Sequence, residues 1–413
     1  MPVNIPGGGM PTPLTRCVGD VDEFESAWGE LPLLMTGSDS SAFADILDLA
    51  DVDRILSSAV RRPTIRMVAD GTPLDPGAYC TPLRLGGRHL DDVVDPLKVA
   101  ALFHGGATLV LQSLHRTWPS VTEFVSELQR EVSHPVQANA YLTPSDASGL
   151  APHRDAHDVI VLQLHGSKQW HVEHLGDVQL AAGDTMYIPA GTQHSAITTG
   201  QASFHLTLGL IRVTYRDVIE RLLTDGPSLL DTPLPIGYRN DPPEEIERHL
   251  VAALDETRAY LAEVAIDTCV QREQHRRRRP IPRGRIASLV AIDSMSAADS
   301  VRWDAPPPLG RVVDAAENGW RALGDLRPSD DARVQIDLGG RTITVPAVVL
   351  EAIQYLQAGD AVVVDDLPGL DRPSRVILAR RLVEEMACVI EPSVASVTAL
   401  HTHSPSMEER HVQ

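Results

Sequence analysis

Between Val136 and Ile211 the chain is a series of short apolar, β-branched runs broken by glycine corners, and this pattern restricts the fold more than any other stretch. The runs are Val136 to Thr143, Val159 to Leu164, Gln169 to Glu173, Thr185 to Ile188 and Ser203 to Ile211. Gly166-Ser167, Ala182-Gly183-Asp184 and Ala190-Gly191 supply turns among them. Many short strands with tight corners predict a mainly β core, a small antiparallel barrel or jelly roll that closes around a pocket.

Inside that stretch lies Pro152-His-Arg-Asp155, followed about 40 residues later by His194 at the end of Gly183-Asp-Thr-Met-Tyr-Ile-Pro-Ala-Gly-Thr-Gln-His194. On a strand, residues i and i+2 point the same way, so His153 and Asp155 face the barrel interior while Arg154 faces out. His194 comes from another strand or its turn. Two imidazoles and one carboxylate on one face of a metal leave the opposite positions open, the facial arrangement that non-haem Fe(II) oxygenases use to bind a cosubstrate and O2. His157 shares the parity of His153 and competes for the same role.

Of 36 basic residues only Lys98 and Lys168 are lysines. Lys168 lies just downstream of His153, in Leu164-His-Gly-Ser-Lys168-Gln-Trp170. A compact ammonium there suits a carboxylate held deep in a narrow barrel.

The 413 residues suffice for about two or three domains. No apolar stretch approaches the roughly 18 to 20 residues that cross a bilayer, and the N-terminus lacks the charged-then-apolar order of a signal peptide. Cytoplasmic location without membrane contact is therefore expected. The four cysteines are scattered and read as reduced thiols. A formal charge of −20 repels polyanions and favours a basic partner.

Residues 1–16 and 393–413 read as disordered tails, and 17–214 as the barrel with an N-terminal cap. In the cap-to-barrel region, Ala107 to Gln112 predicts a strand, and Val121, Phe124, Val125, Leu128 and Val132 share one helical face behind Pro119. Residues 215–308 read as helical, with Ile246, Leu250, Leu254, Leu261 and Val264 forming a stripe that predicts a homodimer, and with Arg276 to Arg279 in a solvated linker. Residues 309–392 read as a winged-helix-like α+β module: a helix from Pro346 to Ala358, a strand from Ala361 to Val364 and a helix after Asp371. Residues 311–391 hold 9 arginines and no lysine against 14 acidic residues, a net of −5, which argues against specific DNA binding.

These segments, together with Asn139-Ala-Tyr141-Leu-Thr-Pro and His205-Leu-Thr207, resemble the JmjC/cupin family of Fe(II)- and 2-oxoglutarate-dependent oxygenases, and within it the ribosomal oxygenase branch. The likeness takes in the downstream helices and the acidic end. It implies a double-stranded β-helix core of JmjC type, with His153, Asp155 and His194 ligating Fe(II). It also implies Lys168 paired with the distal carboxylate of 2-oxoglutarate, Asn139, Tyr141 and Thr207 lining the same pocket, and O2 as the second cosubstrate. Substrates in that family are proteins, and its bacterial members hydroxylate a side chain on a ribosomal protein. A basic ribosomal target suits an acidic chain. Arg154 stands where these enzymes commonly carry an aromatic residue, and a guanidinium reaching the substrate channel would change the target.

Two rival readings share the pocket. A hydroxylase tailoring a natural-product precursor peptide would have the same fold and iron site. A non-catalytic, ligand-binding cupin is disfavoured because all three ligands and the cosubstrate cation are present. A structural zinc site is disfavoured by the missing cysteine cluster, and nothing indicates the methyl-lysine reader that demethylation would need.

Overall fold

The computed structural model describes residues 11–391, apart from 38, 59, 148–150, 225–227, 235, 237, 241, 264–283, 306–307, 314–319, 330, 339–340 and 358–360. The chain divides into two compact units, Met1–Val213 and Thr214–Gln413.

The first unit is built on two antiparallel sheets. The larger has eight strands in the order Leu33–Met35, Thr185–Ile188, Asp158–His165, Ser203–Leu210, Val136–Thr143, Thr108–Leu111, Ile65–Ala69, Thr72–Pro73. The smaller has four: Gly176–Ala181, Ser167–Val172, Gln193–Ile197, His153–Arg154. All the expected strands of the barrel form. The alternation on Val136–Thr143 shows why: Val136, Ala138 and Ala140 enter the main apolar core, while Gln137, Asn139, Tyr141 and Thr143 line a cavity between the sheets. A second small apolar cluster, including Val159, Val161, Trp170, Val172 and Met186, seals part of the space between the sheets.

Helices cover the outer face of the large sheet. Pro119–Val132 starts on its proline and buries Val121, Phe124, Val125 and Leu128, as its sequence periodicity predicts. The expectation of a disordered tail through residue 16 is corrected. Pro13–Val18 is a helix, capped by the Thr12 side chain accepting from the Thr15 N–H, with Leu14, Cys17 and Val18 buried. One short turn of sequence is too little for a periodic signal, and the tertiary contacts decide it.

The glycine of the Gly183-Asp184 corner is obligatory. Its φ is +95°, and a Cβ there would stand 2.3 Å from the Asp39 carbonyl oxygen. Asp184 beside it is structural: its two oxygens accept from the backbone N–H groups of Gly37 and Ala181, both at 2.8 Å.

The second unit begins with the helices Tyr215–Thr224 and Pro243–Glu263. On the latter, Leu250, Val251, Leu254 and Leu261 are exposed; Val264 and the Arg276 to Arg279 run lie outside the described residues. The remainder is α+β. Leu350–Leu356, Val362–Val363 and Arg372–Glu384 give the expected helix, strand and helix. Two small antiparallel sheets, one of three strands and one of four, accompany them beyond what the sequence pattern predicts. Among the described residues no helix is long and apolar enough to cross a membrane.

Candidate metal centre and its pocket

His153 and Asp155 leave the short strand His153–Arg154 on the same side, and His194 arrives from the neighbouring strand, directly opposite His153 in register. The ligand atoms of the three lie within 4.8 Å of one another, and they are the one such group of His, Cys, Asp or Glu among the described residues. His194 Nε2 is 3.4 Å and His153 Nε2 3.9 Å from Asp155 carboxylate oxygens.

The imidazoles are oriented from behind. His153 Nδ1 donates to the Ala151 carbonyl at 2.8 Å, and His194 Nδ1 to the Thr192 carbonyl at 3.1 Å. A carbonyl accepts only, so each Nδ1 carries the proton and each Nε2 lone pair is directed to the centre, as metal-bound histidines require. Burial, with the neighbouring His153, also lowers the His194 pKa and favours the neutral, ligating form. Two imidazole nitrogens and one carboxylate, with no thiolate, fit Fe(II) in a facial site.

His157 is not part of this group. It lines the same cavity, but its Nε2 lies 3.3 Å from Gln137 Nε2 and packs over Gly209. A Cβ at residue 209 would come within 2.6 Å of that nitrogen, so Gly209 makes the room for it. Arg154 points outward, half exposed, and pairs with Glu173 at 2.6 Å. The idea that it reaches the substrate channel is therefore corrected by strand parity itself.

The cavity measures about 240 Å³ and takes in Lys168, Asn139, Tyr141 and Thr207 along with the three clustered residues. Lys168 is only 3% exposed, and its ammonium donates to Thr143 Oγ1 at 3.1 Å. It meets no carboxylate among the described residues, and burial pushes its pKa down to about 8. An ammonium has three donors, so a buried one with a single hydroxyl partner fits an incoming carboxylate. Asn139 and Thr207 face each other across paired strands. The Asn139 Oδ1 accepts from the Ser113 N–H at 2.9 Å, which turns its amide NH2 to the pocket. Tyr141 stacks on His205 at 5.0 Å, and burial raises its pKa, so it stays a phenol donor.

Sequence reasoning missed three contributors. Thr143 shares the parity of Asn139 and Tyr141 and was legible on that ground. His205 is buried and held neutral, its pKa driven well down by burial and by the Lys168 charge. Arg66 comes from the Ile65–Ala69 strand, far away in sequence, where no local signal marks it. The buried Trp170 Nε1 and His205 Nδ1 have no hydrogen-bond partner among the described residues. The rings they belong to meet edge to face at 5.6 Å, so polar groups remain unmet at the Lys168 end of the cavity.

A family model for the JmjC domain matches residues 114–176 and 172–218. The chain is similar to ribosomal oxygenase 1 of Gallus gallus, 32% identical over 222 residues that cover 48% of this chain and 36% of that protein. It is also similar to the bifunctional lysine-specific demethylase and histidyl-hydroxylase NO66 of Culex quinquefasciatus, 27% identical over 230 residues, 49% of this chain and 34% of that protein. The chain thus spans about a third of the length of these relatives. Among solved structures, the Escherichia coli ribosomal oxygenase YcfD in complex with cobalt and 2-oxoglutarate aligns over 90% of this chain and 98% of its own, at 16% identity and a TM-score of 0.49.

Proposed function

We propose that the chain is an Fe(II)- and 2-oxoglutarate-dependent oxygenase that hydroxylates an amino-acid side chain of a protein, with a ribosomal protein as the target. The observation that carries this reading is the convergence of His153, Asp155 and His194 on the cavity that also holds the unpaired ammonium of Lys168. When bound, the iron and the keto acid activate O2 for insertion into an unactivated C–H bond. The protein's share is to bind, orient and exclude water. His153, Asp155 and His194 would hold the metal. Lys168 would take the distal carboxylate of the keto acid, with the Thr143 hydroxyl beside it. Tyr141, Asn139 and Thr207 would supply donors along the same wall.

The names of the relatives support a protein target, and a histidine side chain among the candidates. A chain of net charge −20 suits a basic ribosomal protein, since complementary charge speeds encounter. Three buried free thiols, Cys17, Cys80 and Cys388, suit a reducing compartment such as the cytoplasm. We also infer a homodimer through the Pro243–Glu263 helix, whose Leu250, Val251 and Leu254 are each about half exposed. Charging that face with Leu250→Glu and Leu254→Glu should yield a monomer by light scattering; an unchanged mass would place the contact elsewhere.

The test of the oxygenase reading needs no substrate. Metal-free protein is titrated anaerobically with Fe(II) and then 2-oxoglutarate, following the visible iron-to-keto-acid charge-transfer band. The native protein should develop the band and Lys168→Ala should require far more keto acid to do so. The pH dependence has a definite sign. Only the ammonium pairs with a carboxylate, and in the free protein it loses its proton near pH 8. Affinity for 2-oxoglutarate should be level below about pH 8 and weaken by roughly tenfold per unit above it. The fold itself moves the other way: between the depressed folded pKa and the ordinary unfolded value the unfolded chain holds more protons, so this residue adds stability as pH rises. Iron binding without any band would end the 2-oxoglutarate reading.

A further inference from the structure

We propose that Arg154 is a positioning residue for the metal centre, a clamp that fixes His153 and Asp155 relative to His194. The inference rests on the metal-binding reading of those three residues. The strand that carries His153 and leads directly into Asp155 is only two residues long and lies at the edge of its sheet, with the Gln193–Ile197 strand as its single neighbour. So short an edge strand has little hold on its own geometry, yet two of three ligands depend on it.

Arg154 supplies the missing hold from the outer face. Its Nη1 donates to Glu173 Oε2 at 2.6 Å and to the Gly191 carbonyl, and its Nη2 reaches Gln193 Oε1 at 3.5 Å. Each acceptor is tied in turn to the segment that delivers His194. Glu173 Oε2 accepts the Gln193 N–H at 3.1 Å, and the Glu173 N–H donates to the Gln193 carbonyl at 2.9 Å. Gly191 donates its own N–H to the Asp155 carbonyl at 2.8 Å. The turn before His194 is therefore gripped on both sides by the residues around Asp155, once through backbone and once through the guanidinium.

Arginine is required for this task because a planar fork can serve three acceptors, whereas an ammonium on a flexible stem cannot hold the same spread. The side chains of Arg154 and Glu173 are 50% and 38% exposed. A pair so open to water adds little to global stability. Its contribution is local: ligands already in place need not be ordered when the metal arrives. The charge is thus spent on the chain's own ligand geometry rather than on substrate.

Cobalt(II) alone is the probe, titrated into the metal-free full chain and followed by its d–d absorption. Native protein should bind one cobalt and His194→Ala none. Arg154→Ala and Glu173→Ala should bind it about tenfold more weakly, with an altered band shape, the loss typical of removing a group that orients a ligand. Arg154→Lys should fall between, and the metal-free melting temperatures should match the native one. An Arg154→Ala protein with native cobalt affinity and spectrum overturns the clamp and leaves the oxygenase reading standing. A metal-free Arg154→Ala protein that melts well below the native one overturns it in favour of a general structural role. Failure of the native protein to bind cobalt overturns the oxygenase reading and the clamp with it.

Discussion

His194→Ala should abolish Fe(II) binding at the centre and, with it, all conversion of 2-oxoglutarate to succinate. His194 is 5% exposed and its Nε2 is aimed at Asp155, so no water-filled margin lets another side chain take its place. Removing groups that merely support a metal ligand costs about 10- to 100-fold in affinity. Removing one of three ligands should exceed the upper end of that range. Equilibrium dialysis against Fe(II) under nitrogen reads the affinity, and succinate formation reads turnover. His157→Ala is the informative companion, because His157 is the other imidazole of suitable parity. With its ring held against Gln137 and over Gly209, it should retain full metal affinity. A protein that keeps its iron without His194 and loses it without His157 would reassign the centre.

The second large effect concerns stability. Asp158, three residues beyond the Asp155 position, is wholly buried and forms an ion pair with Arg212 through both carboxylate oxygens. The same carboxylate accepts from the Tyr187 hydroxyl at 3.2 Å and from the Ala190 N–H at 2.8 Å. Asp158→Ala would strand a guanidinium, a phenol and a backbone N–H together. Breaking a buried pair costs about 3–5 kcal/mol, and because Arg212 is partly open to water the lower end applies. For a unit of this size that corresponds to a fall in melting temperature of roughly 10 °C. Calorimetry of the variant should show it, and a shift within about 2 °C would mean that solvent already carries the pair. Asp158→Asn, which keeps an acceptor for Tyr187 and Ala190, should lie between.

The barrel and the clustering of His153, Asp155 and His194 were legible because each depends on short-range pattern. Strand alternation is a period of two, so His153 and Asp155 announce their shared face, and the Gly183 corner announces a turn with a strand leading out of it. The same rule places Thr143, four residues from Asn139, on the cavity side of its strand. Other parts were illegible for physical reasons. The eight-stranded breadth of the large sheet comes from strands such as Leu33–Met35 and Ile65–Ala69, whose pairing partners are remote. Arg66 enters the cavity from one of them. The Pro13–Val18 helix is too short to show a period and exists because the core receives Leu14, Cys17 and Val18. Arg154 could be placed on the outer face by counting, but its three acceptors come from segments near Glu173 and Gly191 that only the fold brings together.

The buttressing of the strand that leads to His194 sets a limit on how small a working protein could be. Thr185 Oγ1 donates to the Cys17 carbonyl at 2.6 Å, the Gly29 N–H to the Tyr187 hydroxyl at 2.8 Å, and the Gly37 N–H to Asp184. Leu33–Met35 then pairs along the open edge of that strand from Thr185 to Tyr187. Partners 147 to 168 positions apart in the chain must therefore meet before this strand has its full set of bonds. A fragment cut to residues 114–218 would contain His153, Asp155 and His194 and still present a bare, apolar sheet edge, a ready template for association with other chains. The segment matched by the JmjC model is a unit of sequence, but the bonds that complete this strand reach back to Leu33–Met35 and Cys17.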